Sequence, residues 1–91
     1  MRKVNVRQML SPRTHQPVAN QFEIYTPKGV YFQSYHSIIA FKPYNGKTQL
    51  DKNYWDYSRT TSKYRNEFLN ENTKETEQKI KNKEYKLLNL N

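Results

Sequence analysis

Cysteine is absent from the 91 residues. A disulfide frame and a thiolate metal site are therefore both excluded. Glycine is almost as scarce, with Gly29 and Gly46 alone, so no glycine-rich loop exists to cradle a phosphate. No stretch approaches the roughly 20 apolar residues of a transmembrane helix. The opening Met1-Arg2-Lys3-Val4-Asn5-Val6-Arg7 also lacks the apolar run of a signal peptide. These absences lead to the expectation of a soluble, cytoplasmic protein. Carboxylates are sparse too, with eight Asp/Glu against 16 Lys/Arg and a formal net charge of +8.

The distribution of that charge is informative. Residues 1–70 carry 11 Lys/Arg against four Asp/Glu, whereas residues 71–91 carry five against four. The excess belongs to the expected folded body and not to a basic tail, which favours a charged docking face over a disordered cationic arm. Hydrophobic residues make up only 34% of the chain, but aromatics reach 14%. Each buried Tyr, Phe or Trp removes about 150–250 Å² from water, so a few suffice for a small core. One domain spanning residues 1–91 is expected, burying roughly 60–65% of the surface its unfolded form exposes.

Hydrophobic period then divides the chain. Residues 4–10 alternate weakly as a first strand, and Ser11-Pro12-Arg13-Thr14 follows as a turn. Residues 18–26 place Phe22, Ile24 and Thr26 on one face and Glu23 and Tyr25 on the other. Pro27-Lys28-Gly29 turns the chain into a strand over 30–35, with Val30 and Phe32 opposite Tyr31, Gln33 and Tyr35. Residues 37–42 contain Ile38-Ile39-Ala40-Phe41, apolar on both sides, which reads as a central strand with a short buried helical turn as the alternative. Asn45-Gly46 predicts a two-residue hairpin turn returning through 47–50.

Beyond Trp55 the period becomes helical. Tyr57, Thr61, Tyr64 and Phe68 form a four-three-four stripe within 56–69, capped by Asp56 or Ser58 and ended by Asn70. A second helix begins near Asn72 or Thr73, with Glu75 as capping-box partner and Glu75 with Lys79 and Glu77 with Lys81 as favourable pairs. Residues 84–90 alternate as a last strand or prolong that helix; the strand is preferred. The expected fold is α+β: an antiparallel sheet of four to five strands over about 4–50, two short helices over about 56–82, and a C-terminal strand.

Catalysis finds little support. His15 sits in a loop and His36 between strands, neither at metal-ligand spacing. Asp51 and Asp56 are read as a turn residue and a helix cap. A non-enzyme without cofactor or metal is expected. Binding is better supported. With the stripe against the sheet, Arg59 and Lys63 share another helix face and Arg65 lies toward the flank, suited to phosphates or carboxylates. Arg2, Lys3, Arg7 and Arg13 would extend such a patch. Tyr25, Tyr31, Tyr35 and Tyr44 would give a platform on one sheet face or would underlie the helices. The aromatic stripe also reads as ordinary core with a solvated basic back.

One string is distinctive. Tyr54-Trp55-Asp56-Tyr57-Ser58-Arg59-Thr60-Thr61, with Phe32-Gln33-Ser34-Tyr35 before it and Tyr85-Lys86-Leu87-Leu88 after it, resembles a family of small uncharacterised bacteriophage and prophage proteins of Gram-positive bacteria. Lys83 stands where a glycine would be expected before the last strand. The resemblance implies a phage accessory protein made in the host cytoplasm, a non-enzymatic modulator of a host nucleoprotein machine such as a CRISPR-type effector or a polymerase. The resemblance transfers no site residues; the contact residues expected from helix spacing and the strand tyrosines are Arg59, Lys63, Arg65, Tyr31 and Tyr35. Direct, largely sequence-independent DNA or RNA binding is the alternative.

Overall fold

A computed structural model describes residues 4–91. Strands β1 (Asn5–Leu10), β2 (Pro17–Thr26), β3 (Gly29–Ser34), β4 (Ser37–Pro43) and β5 (Gln49–Asp51) precede helices α1 (Arg59–Leu69) and α2 (Thr73–Lys81). Strand β6 (Lys86–Leu88) follows. The strands form one sheet in chain order, antiparallel through β5 and parallel between β5 and β6. The α+β fold expected from the sequence is the fold observed, with five strands before the helices and the C-terminal strand after them; only the parallel pairing of that last strand was not anticipated.

Tight turns set the register. Thr26 pairs with Gly29 across Pro27-Lys28, and a β-carbon on Gly29 would lie 2.3 Å from the Lys42 carbonyl oxygen. Only glycine lets β4 approach so closely. This turn joins even-numbered β2 residues to odd-numbered β3 residues, so Ile24 faces Tyr31 and Tyr25 faces Val30. The expected phasing of the two strands is corrected accordingly. Asn45-Gly46 does not make a two-residue hairpin either. Asn45 is not among the residues with positive φ, and Ala40 pairs with Leu50 across a longer connection.

The core occupies one side of the sheet. Phe32, Ile39, Ala40 and Leu50 are fully buried beneath Tyr64 and Phe68 of α1, with the Phe32 and Phe68 rings 5.6 Å apart. A bulge where Phe32 pairs with Ala40 but Gln33 with Ile38 leaves Ile39 without a partner and brings it into the core beside Ala40. Asn91 spans the other half of that distortion: its side-chain amide accepts from the Ile38 N–H and donates to the Ile38 carbonyl. Among the described residues no helix lies on the opposite sheet face. One row across it runs Val6, Ile24, Tyr31, Phe41, Gln49 and Lys86.

Both helices start and stop as local chemistry dictates. Ser58 caps α1 through the Thr61 N–H, and Asn72 and Glu75 form the capping box of α2. Each helix ends on a left-handed residue, Asn70 at φ 56° and Lys83 at φ 61°. The Lys83 N–H reaches the Ile80 carbonyl and the Glu84 N–H reaches that of Lys79, the paired bonds of a Schellman motif. Glycine is favoured at that position because lysine pays a steric penalty there. Lys83→Gly is therefore expected to stabilise the protein by about 0.5–1 kcal/mol. Thermal unfolding should show the midpoint rising by a few degrees; an unchanged or lower midpoint would refute the assignment of strain.

The ion pairs also differ from expectation. Lys79 bonds Glu71 at 2.7 Å, and neither Glu75 with Lys79 nor Glu77 with Lys81 forms a pair. Burial opposes the Glu71 charge, yet hydrogen bonds from Lys79, Thr76 and Tyr85 outweigh it and hold the carboxyl below its ordinary value. Burial and the bond to Glu71 push the Tyr85 hydroxyl up to about 12. This cluster ties the segment between the helices to the approach of β6.

Candidate interaction surface

The segment between β5 and α1 is held from two directions by buried charges. Asp51, fully buried at the end of β5, accepts the N–H groups of Asn53 and Tyr54 at 3.0 Å each on one carboxylate oxygen. Its other oxygen accepts the Leu90 N–H at 2.7 Å and the Asn91 side-chain amide at 3.0 Å. Burial alone would raise the Asp51 carboxyl, but these donors prevail and hold it below the usual carboxylate range. The carboxylate thus nucleates the turn into residues 52–58 and fastens the segment after β6 to the same point.

Arg65 fixes the segment from beneath. It is the largest fully buried side chain. Its Nη1 donates to the Trp55 carbonyl at 2.5 Å and lies 3.3 Å from both the Asp56 carboxylate and the Ser62 hydroxyl. Nη2 donates to Asn66 Oδ1 and to Thr73 Oγ1. The guanidinium carbon lies 5.1 Å from the centre of the Trp55 ring. The planar fork of arginine suits such a divergent set of acceptors, where a lysine would serve as a single point charge. Nε is the one donor of the group without a partner.

This placement corrects the reading of Arg65 as a contact residue: it is an internal anchor. The signal was present in the spacing. Arg65 follows Thr61 by four and precedes Phe68 by three, so it belongs to the inward arc of the helix. Tyr57 shows the converse. It was placed with the inward stripe, yet it precedes the helix and is 49% exposed. The Tyr54 and Tyr57 rings meet edge to face with centres 5.5 Å apart.

Arg59 and Lys63 stand where the spacing placed them, exposed one turn apart on α1. Among the described residues neither forms an ion pair. With Tyr57, Ser58 and Ser62 they line a surface depression of about 500 Å³. Asp56 also lines it, but its carboxylate already accepts Ser62 Oγ at 2.7 Å and faces Arg65.

The tyrosines separate. Tyr35 leaves the sheet face and occupies the β3–β4 turn at φ 57°, 41% exposed. Ser34 beside it bonds Thr61 at 2.9 Å, so this turn and the start of α1 share one end of the molecule. Tyr31 lies on the helix-free face, stacked on Phe41 with ring centres 4.2 Å apart, and does not join Arg59 and Lys63. Tyr25 is on the other side, hydrogen-bonded to Glu23, and Tyr44 lies beyond β4. Arg13 occupies the β1–β2 turn, Arg7 lies on β1 over Tyr25, and Arg2 and Lys3 lie outside the described residues. Sequence reasoning passed over Asp51 as a plain turn residue and Tyr54 as a member of a string; its position just after the carboxylate-bound turn was the available clue.

Among the described residues no group of three His, Asp or Glu converges as a metal site, and no helix is long and apolar enough to cross a membrane. The chain belongs to a family of unknown function, DUF8033, whose model matches residues 4–85. No curated protein and no solved structure matches it.

Proposed function

We propose that this protein is a small non-enzymatic accessory factor that docks on a host nucleoprotein machine through the α1 end of the molecule. Arg59 and Lys63 supply the charge, and Tyr57, Tyr54 and Tyr35 supply flat, partly apolar contact area. The observation that carries the reading is the pair of exposed, unpaired cations on a segment anchored from within by Asp51 and Arg65. A fixed surface loses little conformational freedom on association. The phage-like string at residues 54–61 supports a role in an infected host cytoplasm, with a CRISPR-type effector or a polymerase as the class of target.

Two charge reversals test it. Arg59→Glu with Lys63→Glu is expected to weaken capture of the target from host lysate by about 10- to 100-fold while the fold is retained. The pull-down is run with and without nuclease. Retention of the same protein after nuclease supports protein docking; no partner under either condition overturns the proposal. Loss of all capture after nuclease supports instead direct binding to DNA or RNA, a reading favoured by the Tyr54–Tyr57 edge contact beside the cations. In that case log affinity against log salt should fall with a slope of about −0.9 per phosphate neutralised on duplex DNA.

A further inference from the structure

Strand β6 is three residues long and ends the sheet. Lys86 N–H donates to the Thr48 carbonyl and the Leu88 carbonyl accepts from Lys52 N–H. Both residues therefore turn their backbone groups toward β5. By the alternation of a strand, the N–H and carbonyl of Leu87 point to the open edge. Beside that edge runs a groove of about 560 Å³ between the end of α2 and β6. Its walls are chemically one-sided. Ile80 and Leu87 give an apolar surface on the helix side, with Leu87 44% exposed, and Leu88 shares the other side of the edge with Lys86. Lys47, Lys83 and Lys86 supply three cations, and no lining residue is acidic.

We infer that this groove takes an extended acidic peptide segment of a protein partner, added as a strand along β6. Three features select that occupant together. The lysines call for carboxylates without a competing acid in the walls. The apolar surface calls for bulky side chains between those carboxylates. The free Leu87 amide calls for a backbone that can continue the ladder, as in recognition by strand addition. A strand alternating carboxylate and apolar side chains presents both kinds of group at once, because successive side chains point to opposite faces. The inference stands apart from the α1 reading, since it uses other residues.

The test uses a labelled synthetic peptide alternating glutamate with leucine and phenylalanine, titrated into the 91-residue protein at low salt. Saturable binding is expected, with the Leu87 amide resonance shifting and gaining protection from exchange. Lys47→Glu with Lys86→Glu should weaken binding by at least about tenfold. Because Lys47 also donates to the Lys83 carbonyl at 2.8 Å, Lys86→Glu alone is measured as a variant that leaves that bond in place, and it should weaken binding in the same direction. Arg59→Glu with Lys63→Glu should leave peptide affinity within about twofold, which separates this site from the α1 surface. The inference is overturned if the peptide fails to bind at about 1 mM. It is also overturned if a glutamine-for-glutamate peptide binds equally, if the lysine reversals change nothing, or if dodecanoate binds in the groove and the peptide does not.

Discussion

Arg65→Met is expected to cost about 3–5 kcal/mol of folding stability, the range for removing one member of a buried charged network. Methionine fills much of the same volume, so a cavity is not the cause. The loss comes from acceptors left behind: the Trp55 carbonyl, Asn66 Oδ1 and Thr73 Oγ1 all face the guanidinium. The share owed to the ion pair itself is small, because Asp56 is 45% exposed and water screens it. Arg65→Lys keeps the charge but cannot span the acceptors, and should recover less than half of the loss. Denaturant unfolding gives the numbers, and near-ultraviolet circular dichroism of Trp55, the single tryptophan, gives the local signature. A methionine variant within about 1 kcal/mol of the parent would mean that the network does not hold the segment.

Asp51→Ala is expected to be comparably severe, at about 3–5 kcal/mol. It strands the N–H groups of Asn53, Tyr54 and Leu90 and the amide of Asn91 together. The pH dependence separates the charge from the shape. The folded carboxyl is held below its ordinary value, so its stabilisation is present above the unfolded value of about 3.9 and is lost as pH falls through the folded one. Glu71 is depressed in the same direction. The parent should therefore lose stability steeply below about pH 4. Asp51→Asn should start lower at neutral pH and show a shallower acid limb. Equal acid limbs in the two proteins would remove Asp51 from the account.

Local chemistry was readable in advance and long-range geometry was not. Ser58, Asn70, Asn72 and Glu75 announce helix ends because caps bond to backbone only two or three residues away. The strands showed through their alternation for the same reason. Which faces meet depended on a turn of a single length: Thr26 opposite Gly29 moves Ile24 into the row of Tyr31. No periodicity within either strand encodes that. The parallel union of β5 with β6 was equally silent, since its partners are separated by both helices. For the candidate surface, Arg59 and Lys63 were found by helical spacing. Arg65 was misplaced because its charge outweighed its position on the inward arc.

The route of the chain through the sheet has a consequence for the order of assembly. Strands β1 to β4 join neighbours in sequence through short turns, and such contacts form quickly because little loop entropy opposes them. Leu50 meets Leu87 only after the helical excursion has closed. The groove beside β6, and the second grip on Asp51 from Leu90 and Asn91, therefore come into being in the last stage of folding. Whatever recognises that edge reads a completed molecule and passes over its precursors.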